Sequence, residues 1–290
     1  MSELSDETKI KKNITQIAIP GSHDCGTCHL NKSWPVGPDE PDILQDLGNN
    51  PILGPILVRP IMLRWSVTQH STVYDQLMTG VRYFDFRIAK LLGVYRMVHG
   101  LYGDAIFDVL DNIKLFLDEH NKEIVILDFQ AVFDCSNDDH LAIIGRLQSL
   151  FGSRLLEKSG QLPTIHEMQE ANQQVIVIYG GYMEFPFLWP RNFCPNPWAN
   201  TMTVSTLFKF LLKHLSKKPK NCLFVTQAIL TPQTKTILLK PFSTLFKATK
   251  TCRESLPSWI EDEASKLNPN IIMTDFVSDT KITSLIVSLN

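Results

Sequence analysis

The chain has 290 residues, of which 44% are hydrophobic and 20% are charged, and its formal net charge at pH 7 is −2. This composition is ordinary for a globular protein with a sizeable core, and the charge argues against a nucleic-acid binder that relies on overall positive charge. The first twelve residues are polar and lack the apolar core of a signal peptide, and no apolar stretch is long enough to span a bilayer. We therefore expect a cytoplasmic protein with six reduced cysteines.

Short apolar runs rich in β-branched residues alternate with longer amphipathic segments along the chain. The pattern predicts strands at residues 15–19, 81–88, 94–98, 123–129, 174–179, 223–228 and 271–276, and an eighth strand in the region 189–199. It predicts helices at residues 67–78, 105–119, 138–150, 202–215, 234–248 and 257–267. Because such alternation implies parallel strands with helical crossovers, we predict an α/β fold, a (β/α)8 TIM-like barrel in a single domain.

Two long segments interrupt the alternation. Residues 32–64 are loop-like and contain several prolines, and residues 180–198 hold six aromatic residues among four prolines. We expect a polar N-terminal segment at residues 1–12 and the barrel at residues 13–290.

Polar side chains follow several of the predicted strands, at the barrel end where chemistry is normally found. In the run V-R-Y-F-D-F-R-I-A, a period of two places Tyr83, Asp85 and Arg87 on one face of the strand. Other strands lead into histidine or end near aspartate. The whole set, in chain order, is His23, Asp24, Asp85, Arg87, His99, Asp128, Gln130 and Asp275.

This set of residues permits a narrow range of chemistry. Two histidines with separate carboxylates can serve as a general base and a general acid. An arginine between them can stabilise charge on a phosphoryl group. No serine or cysteine has a clear claim to be the nucleophile, which favours attack by a substrate hydroxyl on a phosphodiester. The structural alternative is a group of buried ion pairs and capped loops.

A competing motif, C-G-T-C-H, begins one residue after Asp24. Cys25, Cys28 and His29 match the attachment pattern of a c-type haem, and the same residues with His23 could be considered for zinc. The absence of a recognisable targeting segment disfavours the haem, and the absence of a second Cys/His pair with ligand spacing disfavours zinc. We expect no metal.

Five blocks, I-P-G-S-H-D, G-V-R-Y-F-D-F-R-I, V-H-G, E-I-V-I-L-D-F and N-I-I-M-T-D-F-V, resemble the X domain of phosphatidylinositol-specific phospholipase C. R-W-S-V-T-Q, L-W-P-R-N-F-C-P-N-P-W-A-N-T and V-T-Q-A-I-L-T-P resemble the animal proteins that consist of that domain alone. The resemblance spans roughly residues 13–280. It implies a distorted or incomplete TIM barrel that acts on phosphatidylinositol at a membrane surface, in lipid metabolism and signalling.

The resemblance also implies a role for each catalytic residue. His23 corresponds to the general base that deprotonates the inositol 2-hydroxyl, whose oxygen then attacks phosphorus and gives a cyclic phosphate. His99 corresponds to the general acid that protonates the leaving diacylglycerol oxygen. Asp275 matches the carboxylate that orients His23, and Asp24 the one that partners His99.

Arg87 bears on calcium. Calcium-dependent relatives place a carboxylate at this position, whereas bacterial enzymes have Asp-x-Arg, as this chain does. We therefore expect calcium-independent activity with no cofactor. Asp85, Asp128 and Gln130 are expected to contact substrate, although Gln130 replaces a lysine of the bacterial enzymes and an acidic ligand of the calcium enzymes.

The expected partners are phosphatidylinositol and a membrane surface, with no nucleic acid and no obligate protein partner. Residues 180–198 and 51–63 are candidates for inserting at the interface, with Lys217, Lys218 and Lys220 adding attraction to anionic lipid. We expect a cytoplasmic protein bound peripherally to membranes, with the nucleus as an alternative. Two functional alternatives stay open: cleavage of the other ester bond, which gives inositol and phosphatidic acid, and a catalytically weak phosphoinositide-binding barrel. A glycerophosphodiesterase would need a metal-binding Glu-x-Asp at residues 85–87.

Overall fold

The computed structural model describes residues 1, 4–180, 184–279 and 281–290. In this part of the chain one sheet contains nine strands. They are β1 (Ile19–Ser22), β2 (Tyr83–Leu91), β3 (Val94–His99), β4 (Leu101–Ala105), β5 (Val125–Phe133), β6 (Val175–Tyr179), β7 (Leu188–Trp189), β8 (Val225–Gln227) and β9 (Ile271–Thr274).

The sheet is a curled parallel barrel that is not closed. Its order is β7-β6-β5-β2-β1-β9-β8, with parallel pairing throughout, and β7 and β8 are not paired with each other among the described residues. The predicted α/β barrel in a single domain is confirmed, with one difference in the strand count. The predicted strand 94–98 is β3, which runs antiparallel to β2 and pairs with β4 outside the barrel. The eighth strand expected within 189–199 is the two-residue β7.

Twelve α-helices surround the sheet in the described residues, together with short 3₁₀ and π turns. They are α1 (Asp6–Lys11), α2 (Asp42–Asn49), α3 (Arg59–Ser66), α4 (Val73–Met78), α5 (Ile106–Glu119), α6 (Asn137–Phe151), α7 (Ile165–Glu170), α8 (Val204–Leu215), α9 (Thr234–Leu239), α10 (Leu245–Ala248), α11 (Lys250–Trp259) and α12 (Ile282–Val287). None of these helices combines the length and the apolar character needed to cross a bilayer.

The alternation of each strand divides the core into two layers. One face of the strands fills the barrel interior, where Ile19, Tyr83 and Ile126 pack together. The other face carries residues such as Phe84 and Leu127, which pack under the surrounding helices. Parallel strands covered on both faces in this way bury apolar side chains on both sides, which explains the nearly continuous apolar runs in the sequence.

Gly21 permits the tight packing of the barrel beside the first predicted histidine. A Cβ atom at this position would lie 3.0 Å from both Ile271 Cγ2 and Tyr83 Cδ1. A larger residue would push β1 away from β2 and β9, between which it is paired. The glycine therefore keeps β1 in register with both neighbours and fixes the point at which the chain leaves the barrel.

The prediction of a loop at residues 32–64 is wrong from residue 42 onward. Here the chain forms α2, a π turn at Gly54–Val58 and α3. Pro41 lies at the N-cap of α2, and Pro60 lies in the first turn of α3. Proline is compatible with the first helical turn because that turn has no intrahelical partner for its N–H groups.

Three predicted helix boundaries also differ from the structure. α4 begins six residues later than the predicted residue 67, where the Thr72 hydroxyl accepts a hydrogen bond from the Asp75 backbone N–H. The predicted helix 234–248 is divided into α9 and α10 around Pro241. α11 begins at Lys250, so Pro257 lies inside the helix and does not mark its start, and a π turn at Ile260–Ala264 follows.

Candidate active site

The predicted polar residues converge at the carboxyl ends of the parallel strands. β1 leads directly into His23 and Asp24, and β9 leads into Asp275. In β2 the inward-facing series that starts at Tyr83 continues through Asp85 and Arg87, as period two requires. The β3 strand returns alongside β2 and ends at His99. The side chains of His23, Asp24, Asp85, Arg87, His99 and Asp275 are joined by contacts of 3.5 Å or less.

The contacts of His23 fix which of its ring nitrogens is free to act. Nδ1 lies 2.8 Å from Asp275 Oδ1. Because the carboxylate accepts, Nδ1 carries the proton, and Nε2 is left to face the site. Nε2 lies 3.2 Å from Asp24 Oδ2 and 3.3 Å from Arg87 Nη2. The expected pairing of Asp275 with His23 is therefore present in the geometry.

His99 is oriented in the same sense by a different acceptor. Its Nδ1 donates to the backbone carbonyl of Ser66 at 2.7 Å, so its Nε2 also faces the site. That Nε2 lies 3.3 Å from Asp24 Oδ2, and the centroids of the two imidazole rings are 6.2 Å apart. Asp24, expected to partner His99, therefore contacts both histidines through the same oxygen.

Arg87 holds the two buried carboxylates of the site. Its Nε lies 2.6 Å from Asp24 Oδ1, and its Nη2 lies 3.5 Å from Asp85 Oδ2. Burial lowers the pKa of Arg87, but Asp24 and Asp85 outweigh it and raise that pKa above its ordinary value. The guanidinium is thus a permanent positive charge beside both histidines.

The charges around His23 raise its pKa to about 9. Burial disfavours the imidazolium, but the carboxylate of Asp24 and the hydrogen bond to Asp275 outweigh that effect. Burial raises the pKa of Asp24, yet Arg87 and the two histidines lower it overall. The pKa of Asp85, by contrast, is raised, because burial and the neighbouring Asp24 outweigh the opposing effect of Arg87. Among these neighbours His23 is therefore protonated at neutral pH.

Thr68 and Gln69 hold the backbone that carries His23 and Asp24. Gln69 Nε2 lies 3.0 Å from the carbonyl oxygens of both His23 and Thr274, and its Oε1 accepts from the Val277 N–H at 3.0 Å. Thr68 Oγ1 lies 3.2 Å from the His23 carbonyl oxygen and 3.1 Å from that of Asp24. Asp24 has a φ of 40°, in the left-handed region, and these contacts hold it there.

Sequence reasoning missed Thr68 and Gln69 as site residues. They belong to the R-W-S-V-T-Q block at the start of a predicted helix, where no pattern in the sequence marks them as site residues. Asp39 was missed because it lies in the segment predicted to be a loop. It accepts the Gly100 backbone N–H at 2.6 Å and so supports the turn after His99, where Gly100 has a φ of 67°.

Asp128 and Gln130 form a second polar group on the inward face of β5. Asp128 accepts from the Tyr83 hydroxyl at 2.6 Å and from Gln130 Nε2 at 3.0 Å, and it forms an ion pair with Arg191. Burial raises the pKa of Asp128 to about 6 against the opposing effects of Arg191 and the Tyr83 hydrogen bond. Arg191 was missed, since its partner lies 63 positions earlier in the chain.

The three residues expected to contact substrate differ in their access to the site. Gln130 lines the cavity at the carboxyl end of the barrel. It is the extra residue of a β-bulge, because Phe129 pairs with Phe86 and Ala131 pairs with Arg87. Asp85 and Asp128 are 1% and 0% exposed, and their contacts in the structure are to protein groups.

A cavity of about 750 Å³ opens above these residues. Its floor presents the side chains of His23, Arg87, His99, Gln130, Gln227 and Asp275. Its walls are mainly apolar and come from α2, α3 and the segment from β8 to α10. The cavity therefore places a polar, charged floor beneath an apolar opening.

Two clusters of potential metal ligands occur in the described residues. His23, Asp24 and Asp85 form one, but the Arg87 guanidinium already contacts both carboxylates. This arrangement does not fit Ca²⁺, which needs six to eight oxygen ligands. Cys28, His29 and Asp104 form the other, at the protein surface. Cys25 is buried in the core between the sheet and the helices, away from this cluster.

The expected lysine patch lies at the wrong end of the barrel. Lys217, Lys218 and Lys220 belong to the connection between the end of α8 and the start of β8. In a parallel barrel such connections lie at the amino ends of the strands, opposite the carboxyl ends that carry the cavity. These lysines cannot face the same membrane surface as the cavity.

The structure also shows which side chains are exposed in the two segments expected to insert at a membrane interface. In residues 180–198, Phe187 and Trp189 are buried, Trp198 is exposed, and Tyr182 lies outside the described residues. In residues 51–63 the apolar side chains of Ile52, Leu53, Ile56 and Leu57 are exposed. Leu238, Leu239 and Phe242, which were not predicted to contact lipid, are exposed as well.

Comparison with known proteins identifies relatives along almost the whole chain. The chain is 36% identical to PI-PLC X domain-containing protein 2 of Mus musculus over 290 residues, covering 96% of this chain and 83% of the relative. It is 38% identical to the Homo sapiens protein 2 over 233 residues, which cover 77% of this chain and 74% of that one. It is 32% identical to protein 3 of Danio rerio, covering 96% and 88%. A scan against protein-family models gives no match.

Solved structures support the fold. The phosphatidylinositol-specific phospholipase C of Listeria monocytogenes superimposes with a TM-score of 0.68 at 21% identity, covering 100% of this chain and 97% of that one. A Staphylococcus aureus phosphatidylinositol-specific phospholipase C, in a structure concerned with its membrane binding, gives 0.67 at 16% identity, with coverage of 100% and 96%. At these identities the similarity establishes a shared barrel fold.

Proposed function

The chain belongs to the family of PI-PLC X domain-containing proteins, and on that premise we propose that it cleaves phosphatidylinositol at a membrane surface by histidine acid–base catalysis. One observation carries the proposal. The Nδ1 atoms of His23 and His99 are both tied to acceptors, so both Nε2 atoms face one shared carboxylate beside a guanidinium. This arrangement suits a reaction in which one proton is removed as another is delivered.

The first half of the proposed reaction belongs to His23. Its Nε2 takes the proton of the inositol 2-hydroxyl, and that oxygen attacks phosphorus to form a cyclic phosphodiester. Asp275 holds the ring in the required tautomer at 2.8 Å and stabilises the imidazolium that results. The neutral form of His23 is needed for this step, so the fraction of protein with a free base rises with pH toward the pKa of about 9.

The second half belongs to His99. Its Nε2 delivers a proton to the diacylglycerol oxygen as the bond from phosphorus to that oxygen breaks. The Ser66 carbonyl keeps Nδ1 protonated in both forms of the ring, so Nε2 is the nitrogen that gains and loses the proton. The products are diacylglycerol and inositol 1,2-cyclic phosphate, and the electrons and protons balance without a cofactor.

Arg87 stabilises the charge that develops on the phosphoryl oxygens. It is positively charged at every working pH and lies within 3.3 Å of the His23 nitrogen that faces the substrate. Its contacts with Asp24 and Asp85 occupy the two carboxylates that a cation would need. These contacts support calcium-independent activity, and we expect EGTA to leave turnover unchanged.

A second candidate function, a phosphoinositide-binding barrel with weak catalysis, is favoured by one observation. Asp24 and the hydrogen bond to Asp275 raise the pKa of His23 to about 9, so little of the protein has a neutral base at pH 7. Under this alternative the protein binds the inositol headgroup but turns over slowly at neutral pH. Turnover that is lost in His23→Ala would support the catalytic proposal, and binding of phosphatidylinositol vesicles without turnover at any pH between 7 and 9 would support the alternative.

Product analysis tests the proposed function. Vesicles that contain phosphatidylinositol labelled in the inositol ring are incubated with the wild type, His23→Ala and His99→Ala. We expect each substitution to lower turnover by about 10²–10⁴-fold, because each removes one proton-transfer partner. His29→Ala is the matched control, since His29 is exposed and bonds to Asp104 outside the cavity. Equal turnover in all four proteins would refute the acid–base assignment.

A further inference from the structure

The cavity continues upward from the polar floor between two apolar walls. Leu44, Leu57 and Ile61 form part of one wall, supplied by α2, the π turn and α3. Ile229, Ile237 and Leu238 form part of the other, supplied by the segment from β8 through α9. We call the space between these six side chains the apolar groove.

The apolar lining is continuous from the interior to the surface. Near the floor, Met62 and Leu245 are 9% and 3% exposed, whereas Leu57 and Leu238 at the top are 51% and 75% exposed. A soluble protein normally buries such side chains or scatters them singly. Here they line both sides of one cavity, so an apolar ligand that filled it would remove them from water.

The charges of the cavity are confined to its lower part. Of the charged residues that line it, Arg87, Asp275 and the histidines belong to the catalytic cluster, and Glu40 lies beside Gly100, the residue after His99. The cavity therefore matches an amphiphile whose polar group rests on the floor and whose apolar part extends between the walls. A free inositol phosphate would leave the walls hydrated.

We propose that the apolar groove binds the acyl chains of one phospholipid molecule, next to its glycerol, while the headgroup lies on the catalytic floor. This inference rests on the proposed function for the identity of the headgroup. Its consequence is that the protein recognises its substrate by the tails as well as by the inositol phosphate. Burying each methylene contributes roughly 0.8 kcal/mol, so even the first few carbons of a chain add measurable affinity.

The groove is distinct from the surface that would touch the membrane. Ile56 lies in the π turn of the first wall, and Phe242 lies just after α9 of the second; they are 75% and 79% exposed and do not line the cavity. Side chains of that kind partition into a bilayer without contacting the bound substrate. The two sets of residues can therefore be altered separately.

The test compares two water-soluble substrates, dihexanoyl-phosphatidylinositol below its micelle concentration and glycerophosphoinositol, which has the headgroup without tails. Ile237→Trp and Leu44→Trp fill the groove without making it polar. We expect them to lower the ratio of kcat/KM for the first substrate over the second by ~10-fold, the loss of about two buried methylenes. An unchanged ratio in both filling variants would overturn the proposal.

Two further variants separate the groove from membrane binding. The double substitution of Ile56→Ser and Phe242→Ser should weaken binding to phosphatidylinositol vesicles while keeping the preference for the monomeric lipid. Leu92→Ser is the matched control, because Leu92 is 92% exposed at the far tip of the β2–β3 hairpin and does not line the cavity. If the Ile56→Ser and Phe242→Ser double variant lost the preference for dihexanoyl-phosphatidylinositol over glycerophosphoinositol as fully as the filling variants, the groove would not be the site that binds the acyl chains.

A binding measurement separates failure of the groove from failure of the proposed function. Dihexanoylglycerol, which lacks the phosphate, is titrated against isoleucine and leucine methyl resonances of the folded protein. Shifts at Ile61, Ile229 and Ile237 that disappear in Leu44→Trp support the groove even if the protein cleaves no phosphatidylinositol. Cleavage without such shifts, or shifts that instead track self-association of the protein, would refute the groove and leave the catalytic proposal standing.

Discussion

The two ends of the barrel interior are built from the same faces of the same strands but have opposite chemistry. At the amino end, β2, β5 and β9 point Tyr83, Ile126 and Ile271 inward, and these pack in one apolar cluster. Two or more residues further along, the same faces carry the ionised and hydrogen-bonded groups, of which Arg87 and Asp275 are examples. Packing at the apolar end fixes the positions of the strands, and those strands in turn hold the charged side chains of the polar end in place.

The difference indicates what each end contributes. Burying the apolar end stabilises the fold, whereas burying carboxylates costs free energy that their partners only partly offset. Asp24 and Asp85 are 2% and 1% exposed beside a single guanidinium. A cluster of this kind is better explained by its chemistry than by stability. The predictions below test that division, from the largest expected effect to the smallest.

Arg87→Lys should have the largest effect, and it should be confined to activity. Lysine keeps the charge but cannot contact Asp24 and Asp85 as a planar fork. We expect kcat to fall by about 10²–10³-fold, comparable to the loss of one transition-state donor. Steady-state kinetics on phosphatidylinositol vesicles with and without EGTA would measure it. A loss below about twofold would show that Arg87 serves stability alone.

Ile126→Ala should lower the stability of the fold and leave kcat nearly unchanged. Ile126 is fully buried in the apolar cluster, so we expect a loss of about 2–5 kcal/mol in the free energy of unfolding. The kcat of the protein that remains folded should stay close to that of the wild type, because Ile126 does not line the cavity. Urea denaturation and kinetics on the same samples would check both. A fall in kcat without a change in stability would contradict the division.

Two buried glutamines provide a matched pair, one at each end. Gln69 bridges the carbonyls of His23 and Thr274, and Gln174 bridges those of His120 and Glu123 at the start of β5. Replacing either with leucine removes two hydrogen bonds to these carbonyls, each of which contributes about 0.5–1.5 kcal/mol to stability.

Only Gln69→Leu should lower kcat, by roughly tenfold, because it positions the His23 backbone. We expect KM to change less than kcat, and we expect Gln69→Glu, which can still accept from Val277, to recover little, since it cannot donate to the carbonyls. The kcat values and thermal stabilities of Gln69→Leu and Gln174→Leu are measured together. Equal kcat values would refute the role of Gln69 in positioning His23.

The smallest effect is the shift of one pKa. Asp24 and Asp275 together raise the pKa of His23 to about 9, and Asp275→Asn removes the second of these carboxylates, so that pKa should fall and the acidic limb of kcat/KM should move to lower pH. Because the folded pKa lies above the ordinary 6.5, protonated His23 stabilises the wild type below about pH 6.5 and loses that contribution as pH rises through 9. NMR titration of the His23 Cε1–H resonance would follow it. A pKa that stays near 9 in Asp275→Asn would contradict the assignment.

The sequence allowed the barrel and most of the cluster to be predicted because both follow from local periodicity. Period two places Asp85 and Arg87 on one face, and parallel strands bring their ends together. The direction of β3 was missed, although Leu92 and Gly93 form a two-residue turn with φ values of 50° and 79°. Leucine is an unusual residue at such a φ, so the hairpin signal was weak.

Contacts between distant loops could not be predicted in the same way. Gln69 reaches Thr274, 205 positions later in the chain, and no periodicity links them. The same limit applies to the ion pair of Arg191 with Asp128. Only the folded barrel brings these distant segments side by side.

The central claim is that His23 and His99 exchange protons with phosphatidylinositol to form a cyclic phosphodiester. The most direct measurement is a ³¹P NMR time course of dihexanoyl-phosphatidylinositol with the wild type and His23→Ala at pH 8. We predict that the resonance of inositol 1,2-cyclic phosphate appears before any phosphomonoester, and that it is absent with His23→Ala. Phosphatidic acid as the first product, or the cyclic phosphate formed at the same rate by His23→Ala, would contradict the account.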